Sequence, residues 1–566
     1  MNDIAQEHPP RPSRRWLKIL LSLVAVAIVA FVAVAAYIVH NAEPLVRARV
    51  VEALSERFHS PVQLDHLDIS LVRGIEVRGK GLRILYIAGP TQPDHESTRP
   101  MLSVNSFAFR STFKELLREP MHVANVEVEG MDLHIPPASQ RGPLLNSSPG
   151  DPHPQSKISL QVDKIHCKDV TLFIETSKPG KYPLEFDIQR LDLTDVGPNQ
   201  PLTYDAELVN PKPVGQIHAA GHFGPWDSTE PRATPIDGNY SFDHADLSTI
   251  KGIGGMLSST GHFDGQFGNI TIDGTTDTPD FSLDVSNHPV PLHTKFHAYV
   301  DGSTGDTTLD PVQAHLLHSD FTARGTVIKI HGQGHDIALD VNMPHARIED
   351  MLLLGVKTSP PLMHGALTMQ AKLHIPPGHV RVAQKLELVG TFTIHGVDFT
   401  NPKVQDRIDS MSMRAQGRPQ DAGAAGSDRQ AEVQSEMTAH FNLAQGVISV
   451  SDLHYQFPGV QVLMNGVYST DGNQFEFKGH VRTQATASQM VTGWKSWLLK
   501  GVDPFLQKNG AGLELPVSIS GTKGDVNFGL ALHGTADETP QEMKKDLKAK
   551  RAAQKAVPQT RQAPSR

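Results

Sequence analysis

Hydrophobic residues in this chain follow two patterns. The first is a single run, Leu17 to Val39, apolar except for Lys18, Ser22 and Tyr37. As a helix rising ~1.5 Å per residue it would span ~34 Å, enough for a hydrocarbon core of ~30 Å. Arg11, Arg14, Arg15 and Lys18 stand at its start, Glu43 follows, and Trp16 and Tyr37 bracket it at the depths where interfacial aromatics belong. The run is longer than a signal-peptide core, and its small residues Ala33, Ala35 and Ala36 lie inside it rather than after it. It therefore predicts a retained single-pass anchor, with residues 1–16 in the cytoplasm and everything after Asn41 across the membrane.

The second pattern has period two and fills most of what remains. Val62, Leu64, Leu67 and Ile69 lead into Ile75, Val77, Leu82 and Ile84, with breaks at Gly74, Gly79 and Gly81. Such alternation predicts half-buried strands with bulges at glycine. Phe281-Leu283-Val285, Ile337-Leu339-Val341, Leu367-Met369-Ala371-Leu373, Leu386-Leu388, Phe392-Ile394 and Phe475-Phe477 continue it. Spacings of three and four between Pro44 and Pro61 (Leu45, Val46, Arg49, Val50, Ala53, Leu54, Phe58) predict one short amphipathic helix, and Ser111 to Arg118 predicts another.

Two repeats overlie the strands. Val123, Val126, Met131, Leu133 and Ile135 match Val162, Ile165, Val170, Leu172 and Ile174 at an offset of 39 residues, with an echo at Val450, Leu453, Tyr455 and Phe457. A Gly-x-aromatic unit recurs at Gly221-His222-Phe223, Gly238-Asn239-Tyr240, Gly261-His262-Phe263 and Gly466-Val467-Tyr468. Repetition of one unit points to an elongated stack, although glycine also precedes strands in ordinary β sequences. Residues 136–156 and 417–430 read as polar loops, and 536–566 as a basic, partly disordered tail.

Composition agrees with many strands and turns: 46 Gly, 41 Pro and only 6% aromatics. A net charge of −9 argues against a nucleic-acid partner. Cys167, the single cysteine, rules out an intrachain disulfide and reads as a small buried hydrophobe. Catalytic signatures are missing: there is no P-loop, H-E-x-x-H, C-x-x-C or G-x-S-x-G, and Gly252-Ile253-Gly254-Gly255 lacks the spacing of a dinucleotide loop. The 29 histidines raise the question of zinc at His293, His297, His315 and His318, but their scatter reads better as solvent-facing positions. Asp301 to Asp306 lacks the acids of a calcium loop and reads as a hairpin turn. No catalytic residue, cofactor or metal is expected.

Three segments then resemble the AsmA-like family of envelope proteins, relatives of TamB in the repeating β-groove lipid-transfer group. They are Val46 to Ser55 running into Ser60 to Leu67; Met101 to Val104 through Phe113 to Leu117 and Val123 to Gly130; and Gly501 to Lys508 followed by Leu515 to Thr522 and Asp525 to Phe528. The resemblance implies a mainly β fold, an elongated curled antiparallel sheet with short capping helices, in a groove on the order of 140 Å long at ~4.8 Å per strand. Residues 44–135 and 431–535 correspond to the family's two ends and 157–416 to central groove repeats.

It implies a protein held in the bacterial inner membrane with its body in the periplasm, working in envelope maintenance. Its apolar groove would bind or conduct phospholipid or another acyl-chain lipid, with Leu283, Val285, Leu339, Val341, Leu373, Phe392 and Ile394 as groove candidates. The alternative is a non-conducting assembly or scaffold factor whose partners are outer-membrane or periplasmic envelope proteins; an exported enzyme is a third reading.

Overall fold

The computed structural model describes residues 61–70, 75–85, 100–112, 121–135, 160–174, 184–197, 200–225, 230–330, 332–357, 359–421, 435–471, 474–492, 512–522, 525–531 and 535–546, together with 47, 48, 51, 55 and 115. The anchor at 17–39, the loop at 136–156 and the segment Gly501 to Lys508 lie outside them. The protein is mainly β, built as strongly curled open sheet with few short helices. It divides into two compact units, one of Met1–Phe173 with Arg190–Thr203, the other of Ile174–Gln189 with Tyr204–Arg566.

In the first unit β1 (Val62–Gln63) and β2 (His66–Ser70) both pair antiparallel with β3 (Ile75–Leu85). β4 (Pro100–Ser111) follows β3, and β5 (Met121–Ile135) follows β4. Alternate residues Leu64, Leu67, Ile75 and Val77 form its core, with Phe107, Phe109 and Val51 packed against them. Residues 47, 48, 51 and 55 are helical, and the Arg47 guanidinium donates to the Leu64 carbonyl, which ties this turn to the first hairpin. At the second predicted helix, Thr112 and Glu115 bond reciprocally, Thr112 N to Glu115 Oε2 at 3.1 Å and Glu115 N to Thr112 Oγ1 at 3.3 Å, a capping box. β6 (Leu160–Ile174) carries Cys167, 2% exposed, and burial followed by the Asp192 charge pushes its thiol up to about 11.

The 39-residue repeat has a backbone cause. Gly130 in β5 and Asp169 in β6 stand 39 apart and both have positive φ, 66° and 55°; Asp452, at the matching place in the echo, has 51°. What recurs is a left-handed residue just before the last three apolar positions; at Asp452 it falls within the register shift between Val450 and Leu453, a bulge that bends the strand and adds twist.

β7 (Leu184–Val196) is shared by the two units. The second unit continues with β8 (Leu202–Pro211), β9 (Val214–Phe223), β10 (Pro235–Asp246), the two-residue β11 (Ile253–Gly254), β12 (Met256–Gln266), β13 (Asn269–Leu283), β14 (Val290–Val300), β15 (Thr307–Leu316), β16 (Ser319–Ile330) and β17 (Gly334–Arg347). After helix α1 (Ile348–Gly355) come β18 (Met363–Ile375), the single turn α2 (Val382–Lys385), β19 (Glu387–Phe399) and helix α3 (Pro402–Ala415). β20 (Glu436–Ala444), β21 (Val447–Phe457), β22 (Val460–Ser469), β23 (Phe475–Thr483), β24 (Glu514–Thr522) and β25 (Asp525–Leu530) complete it. From β9 to β25 each main strand pairs antiparallel with the next, while β11 attaches to β13.

A meander of this kind has two rims. One carries the connections containing α1 and α3; the other is made mostly of tight turns such as Asp301 to Asp306, the hairpin turn foreseen in the sequence. Register shifts in β10, β13 and β17 fall near the helical rim, between Phe242 and Ala245, Thr278 and Phe281, and Met343 and Ala346; others fall in mid-strand, between Val450 and Leu453, or toward the turn rim, between Phe296 and Ala298 and between Leu309 and Val312. Each bulge bends and twists the strand that carries it, and together they curl the sheet.

The Gly-x-aromatic unit serves the same curl. Gly238 faces Phe263 across β10 and β12, and Tyr240 faces Gly261, so each glycine lies opposite the other strand's ring. The same holds for Gly274 with Phe296 and Gly466 with Phe477. A Cβ on Gly466 would stand 2.1 Å from the Phe477 ring. Rings laid over glycine let an apolar face close inward without colliding side chains.

Three pieces dress the sheet. Helix α1 is pinned along its rim by buried Asp350, which accepts from Ser319 Oγ at 2.8 Å and His318 N at 2.9 Å, while Leu353 O is bonded by His288 Nδ1 at 3.1 Å. Helix α3, with Asn401 accepting from Lys403 N and Pro402 at its start, lays Ile408, Met411 and Ala415 on the apolar face. Residues 376–386 reach from the turn rim to the helical rim, where Val382 N donates to Lys251 O at 3.1 Å.

The last piece is the start of the basic tail. The tail is ordered as far as 546: Met543 is fully buried against Val447 and Val467, and Lys478 bonds Glu538 at 2.6 Å. Met543 lies one helical turn after Thr539, and that one apolar anchor docks the start of the tail.

Candidate functional site

One face of the second unit is apolar from β17 through β23. Along β17 and β18, Ile337 opposes Ile375, Leu339 opposes Leu373, Val341 opposes Ala371 and Met343 opposes Met369. The row continues through Leu373 to Leu388, Met369 to Phe392 and Leu367 to Ile394, and then through Phe392 to Ala439 and Ile394 to Met437. Five of the groove candidates, Leu339, Val341, Leu373, Phe392 and Ile394, therefore share one contiguous surface. Leu283 lies apart, at the end of β13 opposite Ile253. Val285 is not in a strand; it sits in the turn after β13. The bulge between Thr278 and Phe281 breaks the period there, which an alternating trio could not reveal.

Burial grades across this face. Toward the helical rim, Leu367 and Ile394 are 2% exposed and join a cluster with Met437, Leu453, Tyr455 and Met464, roofed by Ile348, Met351, Ile408 and Met411. Toward the turn rim, Ile337, Leu339, Leu373, Ile375 and Leu388 stay half-buried. The helices, which period-two reading did not foresee, make this difference: they cover one half of the trough and leave the other uncovered. Their signals were present as Asn401-Pro402 and as Glu349-Asp350 at the start of an apolar run.

The trough widens at one place. A cavity of about 780 Å³ is lined by Ser259, Thr276, Thr294, Ala314, Phe321 and Pro344 of this face and, from the alternate row of the same strands, by residues that include Asp277, His293, His315 and Asp320. Here large side chains give way to hydroxyls that satisfy one another, Thr276 Oγ1 with Thr294 Oγ1 at 2.7 Å and Tyr240 OH with Ser259 Oγ at 3.1 Å. Burial holds the Tyr240 phenol above its ordinary range, so it remains a neutral hydroxyl.

The opposite face explains the histidines. His293 pairs with Asp277 at 2.7 Å, His297 with Asp273 at 2.8 Å, His315 with Asp320 at 2.7 Å and His395 with Glu436 at 3.4 Å. Each joins neighbouring strands, so these histidines are one half of cross-strand hydrogen-bonded pairs on the solvated side. Among the described residues no group of three or more His, Cys, Asp or Glu is placed to hold a metal ion.

His374 bridges Asp336 at 2.9 Å and Glu387 at 3.2 Å, and these two bonds, Asp336 first, raise its pKa above the usual imidazole value. A pKa raised on folding gives stability that is full below the unfolded value and is lost as pH rises through the folded one. His374→Gln is therefore expected to cost more stability at pH 5.5 than at pH 8. The side chain is 43% exposed, so screening limits the difference to under about 1 kcal/mol. Urea unfolding of both proteins at the two pH values measures it; equal costs would mean the bridge carries no proton-linked stability.

Among the described residues no helix is long and apolar enough to cross a membrane, and the run at 17–39 lies outside that range. The chain matches no protein-family model, and no curated protein or solved structure is significantly similar to it.

Proposed function

We propose that this protein handles acyl-chain lipid, binding or conducting phospholipid in the apolar trough without catalysing a reaction. The uncovered half of the apolar face carries this reading: a row of half-buried leucines and isoleucines along adjacent strands is a surface that hydrocarbon covers favourably. The apolar run at 17–39 and the likeness to AsmA-like envelope proteins support placing the body in the periplasm, tethered to the inner membrane with the N-terminus inside. No energy source is needed in the chain, because transfer follows a lipid gradient or a partner.

The test is mass spectrometry of lipids co-purifying with the full chain, against a control bearing the same anchor on an unrelated soluble domain. Phospholipid in excess of the control is the expected result; parity with the control argues against the trough as a lipid site.

A second reading, a scaffold for outer-membrane or other envelope proteins, draws on one feature. β25 pairs with β24 on one side, and its Phe528 and Leu530 are 42% and 61% exposed. Among the described residues the other edge of β25 is unpaired, and such an edge with apolar side chains suits strand addition by another protein.

A further inference from the structure

We infer that the junction where residues 376–386 meet the helical rim is a binding site for the phosphate head group of an acyl lipid, an assignment that rests on the lipid-handling reading above. Three elements converge there. The turn between β8 and β9 is held by Asn210 Nδ2 donating to Pro213 O at 2.7 Å, and it presents Lys212. Val214 N donates to Thr249 Oγ1 at 3.4 Å, which ties that turn to the connection carrying Lys251. The third element brings Arg381 and Lys385, fixed by the bond from Val382 N to Lys251 O.

The fit between the second and third elements is close. Gly252 has φ of +109°, and a Cβ there would stand 2.8 Å from Val382 N, so glycine is what lets the two backbones touch. Lys212, Lys251, Arg381 and Lys385 are thereby gathered at one place. Among the described residues none of the four has an acidic side chain within ion-pair distance. Of the nearby acids, Asp246 accepts from Ser248 N at 2.9 Å and Asp280 from Met256 N at 2.7 Å, while Asp284, whose N donates to Gly252 O at 3.1 Å, makes no ion pair with these cations among the described residues.

The like charges brought together are what mark the place. Where Lys372 has Asp340 and Arg324 has Asp310, both at 2.9 Å, these four cations have no carboxylate within ion-pair distance among the described residues. Burial, and after it the Lys212 charge, holds the Lys385 ammonium below the usual lysine range. Lys385 Nζ donates once, to Gly378 O at 3.1 Å, which leaves two of its three protons for a ligand. A phosphate would relieve the repulsion and accept those bonds. Its position suits an amphiphile: β12 leaves the neighbouring connection and within three residues lines the hydroxyl-floored cavity at Ser259.

The experiment compares phosphatidic acid with diacylglycerol of the same short chains, binding to the detergent-solubilised full chain and to its Lys212→Gln/Lys385→Gln variant. Wild type is expected to bind phosphatidic acid at least tenfold more tightly than diacylglycerol at low salt, with the preference shrinking as salt rises. In the variant the preference collapses while diacylglycerol affinity is unchanged. A preference that survives the substitutions, or equal binding of the two lipids by wild type, overturns the assignment. Failure of wild type to bind either lipid defeats the lipid-handling reading instead. Inorganic phosphate is the third probe: displacement of phosphatidic acid at millimolar concentration supports the assignment, and phosphate binding without lipid binding replaces it with a free-anion site.

Discussion

Leu339→Asp is expected to lower co-purifying lipid at least tenfold while leaving the body folded, and Leu373→Asp to do the same. These residues oppose each other on β17 and β18 in the uncovered half of the trough. A leucine in contact with hydrocarbon contributes about 1.5–3 kcal/mol through burial, and a carboxylate in its place must be desolvated by any chain lying over it. Loss of the leucine alone is a factor of about ten or more, and the carboxylate adds to it. Because both positions are half-buried, the Asp keeps access to water in the empty protein, and the folding cost stays moderate. Ile394, 2% exposed on the same face, is the wrong place for this test, since a charge there unfolds the covered cluster. Val389→Asp is the matched control. It puts the same charge on the polar face, opposite Lys372 and at a position already 50% exposed, so it should leave lipid content unchanged. Equal lipid in Leu339→Asp and Val389→Asp, both folded, would mean that the apolar face does not carry the lipid.

How far the sequence disclosed this arrangement depends on the range of the interaction. Ile337, Leu339 and Val341 share a face because successive strand residues alternate, and three letters suffice to see it. Gly238-Asn239-Tyr240 was visible as a unit, but its meaning was not, because the ring over Gly238 comes from Phe263 on another strand. The histidines are the same case. That they face solvent follows from their alternation with apolar neighbours; that His293 meets Asp277 follows only from a register set by the intervening turn. Val285 shows the converse, a local alternation that a bulge had already ended. The junction of Lys212, Lys251, Arg381 and Lys385 joins residues up to 173 positions apart (385 − 212) through loops with no periodicity at all.

Asp350→Ala should free helix α1 from its rim at a cost of about 3 kcal/mol. The Asp350 carboxylate is 2% exposed, and its bonds from Ser319 Oγ and His318 N are charge-assisted, each contributing about 1.5–3 kcal/mol. Alanine removes the acceptor and strands the donors: Ser319, fully buried, would keep only its bond from Arg347 N at 2.9 Å, in which it accepts. Asp350→Asn tests the chemistry more finely. It keeps one acceptor oxygen but adds an amide with protons to place, so its cost should fall between wild type and alanine. Strands in a meander lean chiefly on their neighbours, so the damage should stay local. Hydrogen exchange should accelerate at 316–319 and 347–355 and remain unchanged at 447–469, on the far side of α3. If both sets keep their protection and stability moves by less than about 0.5 kcal/mol, the buried carboxylate does not hold the helix. The functional consequence follows from what α1 covers. It lays Ile348 and Met351 over the closed half of the trough, so its release should extend the uncovered apolar face toward the helical rim and raise the lipid bound per chain, opposite in sign to Leu339→Asp.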